Sequence, residues 1–244
     1  MLEVINVTKR FGGLVALRNV SLKIDRGEKI AIIGPNGSGK TTLLNVISGV
    51  YKPESGRVLL MGVDITHTPP YERAKMGIAR AFQIPKPFSN LTVRENAAIG
   101  ALFGPLYGKI SVREALEIAD HMLKLVGLYD KRDELAGKLT VPELKLLELA
   151  RALSSKPKIL LLDEIVAGMP PSMVDQLMLL LKRISDEENI AIATLIEHVM
   201  RAVVRFAERV AVLHQGSKIL EGKTEEVLRN PILEEIYLGK KWSV

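Results

Sequence analysis

One octapeptide limits what this chain can be. Gly34-Pro35-Asn36-Gly37-Ser38-Gly39-Lys40-Thr41 fits the pattern G-x-x-x-x-G-K-[ST]. It lies between an apolar run at 29–33 and a segment, 41–50, whose Leu43, Leu44, Val46 and Ile47 fall on one helical face. Strand, glycine-rich turn and helix in that order make a phosphate cradle. Gly37 and Gly39 permit backbone conformations closed to most side chains, so successive amides can point inward at an anion. The helix that follows turns its positive end to the same anion. The loop from Gly34 to Thr41, with Thr42 behind it, is therefore expected to hold nucleotide phosphates. Lys40 would reach the β- and γ-phosphates, and the Thr41 hydroxyl would ligate Mg²⁺.

A second cluster supports this reading. Ile159-Leu160-Leu161-Leu162 is a run of the kind buried on both faces of a parallel sheet, and it ends in Asp163-Glu164. Ligands of such sheets bind at the carboxyl ends of the strands. Asp163 is expected to hold Mg²⁺ through water, and Glu164 to orient or deprotonate an attacking water. A second carboxylate after the magnesium aspartate suits hydrolysis better than transfer to an acceptor.

Periodicity organises the remainder. Strands are expected at 2–7, 20–24, 29–33 and 57–61. Composition shifts near Ile84-Pro85-Lys86-Pro87, and 84–156 reads as a helical insertion with strong helices at 111–126 and 142–153. Strand–helix alternation then resumes, with strands at 158–162, 190–195 and 209–213 and helices at 172–187 and 197–206. A last strand (217–220) and short helix (223–229) follow. The order implies a largely parallel α/β sheet. One domain of 244 residues is expected, its nucleotide-binding core made of 1–83 and 157–244.

Composition narrows the function classes. Apolar residues make up 47% and charged residues 25%, an ordinary globular balance, whereas 5% aromatic content argues against a nucleic-acid stacking platform. The net charge of +6 is scattered along the chain. With no cysteine, disulfides and cysteine-based metal sites are excluded. The start, Met1-Leu2-Glu3-Val4, does not read as a secretory signal. No run of about 18 apolar residues occurs, so a membrane role is expected to come through a partner.

At this point the sequence resembles the ATP-binding subunits of ABC transporters over essentially its whole length. The phosphate loop and Asp163-Glu164 match that family's two Walker motifs. Arg80-Ala81-Phe82-Gln83 resembles the glutamine loop, which implies that Gln83 lies near Mg²⁺ and the γ-phosphate. Asn90-Leu91-Thr92-Val93-Arg94-Glu95-Asn96 resembles the opening of the helical subdomain. Leu195-Ile196-Glu197-His198 resembles the switch motif, implying that His198 contacts the γ-phosphate, and Phe11 stands where the family stacks an aromatic on adenine. The implied fold is α/β: a P-loop NTPase (RecA-like) parallel sheet core with an antiparallel β subdomain and an inserted helical subdomain. The implied activity is hydrolysis of Mg-ATP in a face-to-face dimer with a second ATP-binding subunit. The implied partners are transmembrane permease subunits and, indirectly, a solute-binding protein, with the chain peripheral on the cytoplasmic face of the membrane and no nucleic acid involved. Phe11-Gly12-Gly13-Leu14-Val15-Ala16-Leu17 and Gly77-Ile78-Ala79-Arg80-Ala81-Phe82-Gln83 look most like branched-chain amino acid importers.

The resemblance fails at one motif. The family's Leu-Ser-Gly-Gly-Gln signature should lie at Leu139-Thr140-Val141-Pro142-Glu143. Thr140 keeps a hydroxyl for a γ-phosphate held by the opposite subunit. Val141 replaces a glycine, Pro142 lacks an amide donor, and Glu143 adds negative charge. Ile165 also stands where the family usually has proline. ATP binding is expected to survive, with closure or hydrolysis weakened at the site Thr140 completes. The alternatives are a hydrolysis-poor regulatory partner in a heterodimer, a non-transport ABC ATPase and a small-molecule kinase.

Overall fold

The computed structural model describes residues 1–195 and 200–237. In chain order the elements are β1 (Leu2–Phe11), β2 (Leu14–Ile24), β3 (Lys29–Ile33), α1 (Lys40–Ile47), β4 (Ser55–Leu60) and β5 (Val63–Asp64). There follow α2 (Pro70–Met76), β6 (Ile78–Ala81), α3 (Val93–Phe103), α4 (Val112–Val126), α5 (Val141–Ser154) and β7 (Ile159–Asp163). The chain continues through α6 (Pro171–Glu188), β8 (Ala191–Leu195), α7 (Met200–Phe206), β9 (Arg209–His214), β10 (Ser217–Lys223), α8 (Thr224–Leu228) and α9 (Pro231–Ile236). They group into two compact units, one of Met1–Pro69 with the chain from Pro170 onward, the other Pro70–Met169.

The first unit holds an antiparallel sheet in the order β2-β1-β4-β5 and the strand run β10-β9-β3-β8. β3 lies parallel to both β8 and β9, pairing Ile30 with Ala193 and Ile32 with Ala211. Every residue of β3 and β8 is buried, as parallel strands covered on both faces require. Strands β1 and β2 run well past the expected 2–7 and 20–24. They form a long hairpin closing at Phe11 and Leu14, with register breaks between Val4 and Val7 and again around Lys9. Each break slips the alternation of buried and exposed residues, so a simple two-residue period catches only part of each strand. Helix α1 stops at Ile47, short of the expected 50, because Gly49 turns left-handed (φ 82°) and its amide closes on the Val46 carbonyl.

The second unit pairs β6 in parallel with β7, Arg80 opposite Leu161. Its helices α3, α4 and α5 pack on one another through small residues. Ala97, Ala98 and Ala101 of α3, Ala115 and Ala119 of α4, and Ala150 of α5 are all buried. Gly100 marks the closest approach: a Cβ there would stand 1.9 Å from the Arg151 carbonyl oxygen. Thr92 and Ser111 begin α3 and α4 with capping boxes to Glu95 and Glu114. Asn96 is fully buried and ties down the preceding loop, its amide donating to the Phe88 and Thr92 carbonyls at 3.0 and 2.9 Å. The strand β6 and helix α2 were not legible in the sequence; four residues of strand are too few for a period to show.

Candidate functional site

The phosphate loop leaves β3 at Ile33 and enters α1 at Lys40. Gly34, Gly37 and Gly39 take φ of 153°, 76° and 102°. Two of them are also places of close packing. A Cβ on Gly34 would lie 2.1 Å from the Leu213 carbonyl oxygen, and one on Gly39 would lie 2.5 Å from that of Ala16. The Ser38 amide closes a turn on the Pro35 carbonyl at 3.1 Å, and the Gly216 amide donates to the Ser38 carbonyl at 3.0 Å. The Lys40 side chain is buried and folds back along the loop, its Nζ donating to the Gly34 and Pro35 carbonyls at 2.8 and 3.0 Å. Asn36, Gly37 and Thr41 face solvent at the rim, with Thr42 half-buried behind them. A lysine and a glycine-rich loop with an exposed rim thus stand together at the start of a helix.

Phe11 lies in the same unit at the end of the β1–β2 hairpin, 43% exposed. Tyr51 meets it edge to face at 5.1 Å between centroids, and the Lys9 ammonium stands 5.3 Å from the ring centre. Glu54 fixes Lys9 at 2.7 Å, and that hydrogen bond holds the Glu54 carboxyl below the usual carboxylate range. Tyr51 was not singled out from sequence; nothing in its neighbours distinguishes it from any surface tyrosine.

In the second unit, β7 carries Asp163 as its last residue and Glu164 just beyond, at φ 47°. Asp163 is buried, and its Oδ2 accepts from Arg80 Nη2 at 2.6 Å. Its Oδ1 is buried with no hydrogen-bond partner among the described residues. A buried carboxylate oxygen left so is costly and suits a cation or a water bound to one, which is the fit a magnesium aspartate requires. Gln83 Nε2 donates to Glu164 Oε2 at 2.6 Å. Buried Lys145 donates to the Ala167 carbonyl at 2.6 Å, and burial pulls its ammonium below the usual range while Glu164 works against that. Arg80 and Lys145 escaped sequence reasoning, though Arg80 stood inside a motif already noted.

Thr140 is not brought to the acidic pair. It begins α5, and its amide and hydroxyl both donate to Glu143 Oε2 at 2.8 Å. Lys131 takes the other oxygen at 2.7 Å, and these bonds, Lys131 first, lower the Glu143 carboxyl to about 2. Pro142 falls in the first turn, where its missing amide costs the helix nothing. His198 lies outside the described residues.

Comparison with known proteins identifies the family. Residues 17–167 match the ABC transporter family. A probable branched-chain amino acid transport ATP-binding protein, LivG, of Archaeoglobus fulgidus is 38% identical over 248 residues, covering 98% of this chain and 95% of that protein. The high-affinity branched-chain amino acid transport ATP-binding protein BraF of Pseudomonas aeruginosa is 36% identical over 251 residues and 98% of each chain. The crystal structure of an ATP-binding cassette of an ABC transporter in its ADP conformation superposes with a TM-score of 0.86 at 36% identity, covering 98% of this chain and 99% of that one. The chain therefore belongs to the ABC transporter family, as an ATP-binding subunit related to those of branched-chain amino acid transport.

Proposed function

We propose that this chain binds and hydrolyses Mg-ATP in a face-to-face dimer of ATP-binding subunits and so drives import of branched-chain amino acids through permease subunits. The observation that carries the reading is the phosphate loop, whose three left-handed glycines, buried lysine and exposed rim form a cradle within one unit. Its amides and Lys40 bind the phosphates, and Phe11 offers a flat face to adenine. Thr41, Gln83 and Asp163 are the residues that would hold magnesium, which supplies charge neutralisation on the phosphates. Glu164 orients the attacking water and takes its proton, and His198 contacts the γ-phosphate.

No helix among the described residues is long and apolar enough to cross a membrane. Transport is thus assigned to membrane-spanning partners at the cytoplasmic face, and 84–156 to a helical subdomain that engages them. The cargo follows from the related proteins' names and from nothing in this chain, which the cargo need never touch.

A second reading has a specific observation behind it. The hydroxyl and amide of Thr140 are already taken by Glu143, which favours a hydrolysis-poor role for the site that Thr140 completes. Calorimetric titration with ATP, with and without Mg²⁺, tests the main reading. Magnesium-dependent binding lost in Lys40→Ala, together with turnover lost but binding kept in Glu164→Gln, is the expected result. No magnesium-dependent binding overturns it.

A further inference from the structure

Lysine side chains ordinarily bury their methylenes and keep the ammonium in water. Lys145 does not. It stands one turn into α5, only 7% exposed, and its ammonium is directed into a single short loop. The contacts are with main-chain oxygens: the Ala167 carbonyl at 2.6 Å and the Glu164 carbonyl at 3.4 Å. Among the described residues it makes no ion pair with a carboxylate. The two carbonyls bracket one turn, which the Ala167 amide closes on the Glu164 carbonyl at 3.0 Å. The next turn closes from Met169 to Val166 at 3.1 Å, and Ile165 and Val166 are buried beneath.

Glu164 needs such a hold. Its φ of 47° is a conformation that L side chains rarely adopt and keep only where the surroundings fix it. Its side chain is held by Gln83 at 2.6 Å, from the segment that follows β6. Its main chain is held by Lys145, from α5. Two elements far apart in sequence thus grip one residue, one at each end.

We propose that Lys145 is a positioning residue for the ATPase reaction, clamping the 164–167 loop onto α5 so that the Glu164 carboxylate is carried at a fixed place. The inference rests on the role given to Glu164 under Proposed function. An ammonium serves here because it can give hydrogen bonds to two carbonyls at once, and neither methionine nor leucine can. Burial disfavours the ammonium form, and the Glu164 charge offsets part of that effect.

The chain has no cysteine, so Ala167→Cys, at an exposed position, gives a single attachment point for a nitroxide label. The test compares that labelled chain with and without Lys145→Met, and measures ATP affinity and kcat in unlabelled Lys145→Met and Lys145→Arg. The expected result is a sharper, more mobile nitroxide spectrum in Lys145→Met. Its kcat should fall by on the order of tenfold to a hundredfold with ATP affinity unchanged. Lys145→Arg should recover part of kcat. Unchanged label mobility overturns the clamp, as does a loss of ATP affinity equal to the loss of turnover. Should Lys145→Met not fold, Lys145→Leu, which likewise has no donor for the two carbonyls, is read the same way. Failure of both to fold would make Lys145 a folding residue and end the proposal. A wild-type chain without magnesium-dependent ATP binding would defeat the proposed function, while the label spectra would still judge the clamp.

Discussion

Arg80 donates to Asp163 at 2.6 Å, and both side chains are almost wholly removed from solvent. The pair joins the middle of β6 to the last residue of β7, so one charge of the acidic site is balanced inside the sheet itself. Breaking a buried pair by removing one partner leaves the other charge uncompensated. Arg80→Met is expected to destabilise the chain by about 3–5 kcal/mol. Denaturant unfolding checks this, and a change under 1 kcal/mol would show that the pair contributes little.

The glycines of the phosphate loop separate two kinds of damage. Gly34→Ala places a methyl 2.1 Å from the Leu213 carbonyl oxygen, so the loop or β9 must shift, and loss of folded stability is expected. Gly37→Ala meets nothing within 4 Å and suffers only the left-handed backbone, roughly 1–2 kcal/mol. Thermal melts should show Gly34→Ala as the more damaging of the two. ATP titration of folded Gly37→Ala should then show weakened affinity, since its amide lies on the exposed rim.

Phe11 and Tyr51 should act on affinity alone. Phe11→Ala removes the flat face and Tyr51→Ala removes the edge that sets its angle. Losses of about 0.5–1.5 kcal/mol in ATP binding are expected for Phe11, and less for Tyr51, with kcat at saturating ATP unchanged. A fall in kcat with affinity intact would place these rings somewhere other than under the base.

Glu143 gives a pH signature. Its carboxyl is depressed from an ordinary 4.5 to about 2 by Lys131 and by the Thr140 amide and hydroxyl. A depressed carboxylate contributes stability that is fully present above its unfolded value and is lost as pH falls through its folded one. The stability difference between the wild type and Glu143→Gln should therefore hold from neutral pH down to about 4.5 and vanish by about 2. Unfolding followed across that range tests it. Thr140→Ala should cost about 1 kcal/mol through the lost hydrogen bond to Glu143 and leave this chain's own ATP affinity unchanged.

Much of this was legible in the sequence, for reasons that can be stated. Phosphate loops are read because glycine spacing, strand and helix are all local, and Leu43, Leu44, Val46 and Ile47 sit where a helix would bury them. The acidic strand end was read because four consecutive apolar residues have few other uses. What could not be read depends on pairing across the fold. Register breaks near Val4 and Lys9 hid half of the β1–β2 hairpin. The roles of Arg80 and Lys145 rest on partners distant in sequence, Asp163 at the end of β7 and the Ala167 carbonyl, which no local pattern brings beside them. Thr140 was read as a hydroxyl available to phosphate; the sequence does hold the reason it is engaged, a Thr-x-x-Glu capping pattern ending in Glu143.

The Gly216 amide rests on the Ser38 carbonyl, and the Gly216 carbonyl in turn receives the Arg18 amide at 2.7 Å. One glycine in a two-residue bend is thus a rivet through which the anion-binding end of β3 is fastened to the hairpin that carries Phe11. A tug on Ser38 is passed along two peptide links to β2 without crossing a single flexible side chain. The two ends of a bound nucleotide would in that way be gripped by parts of the chain that yield or stiffen together.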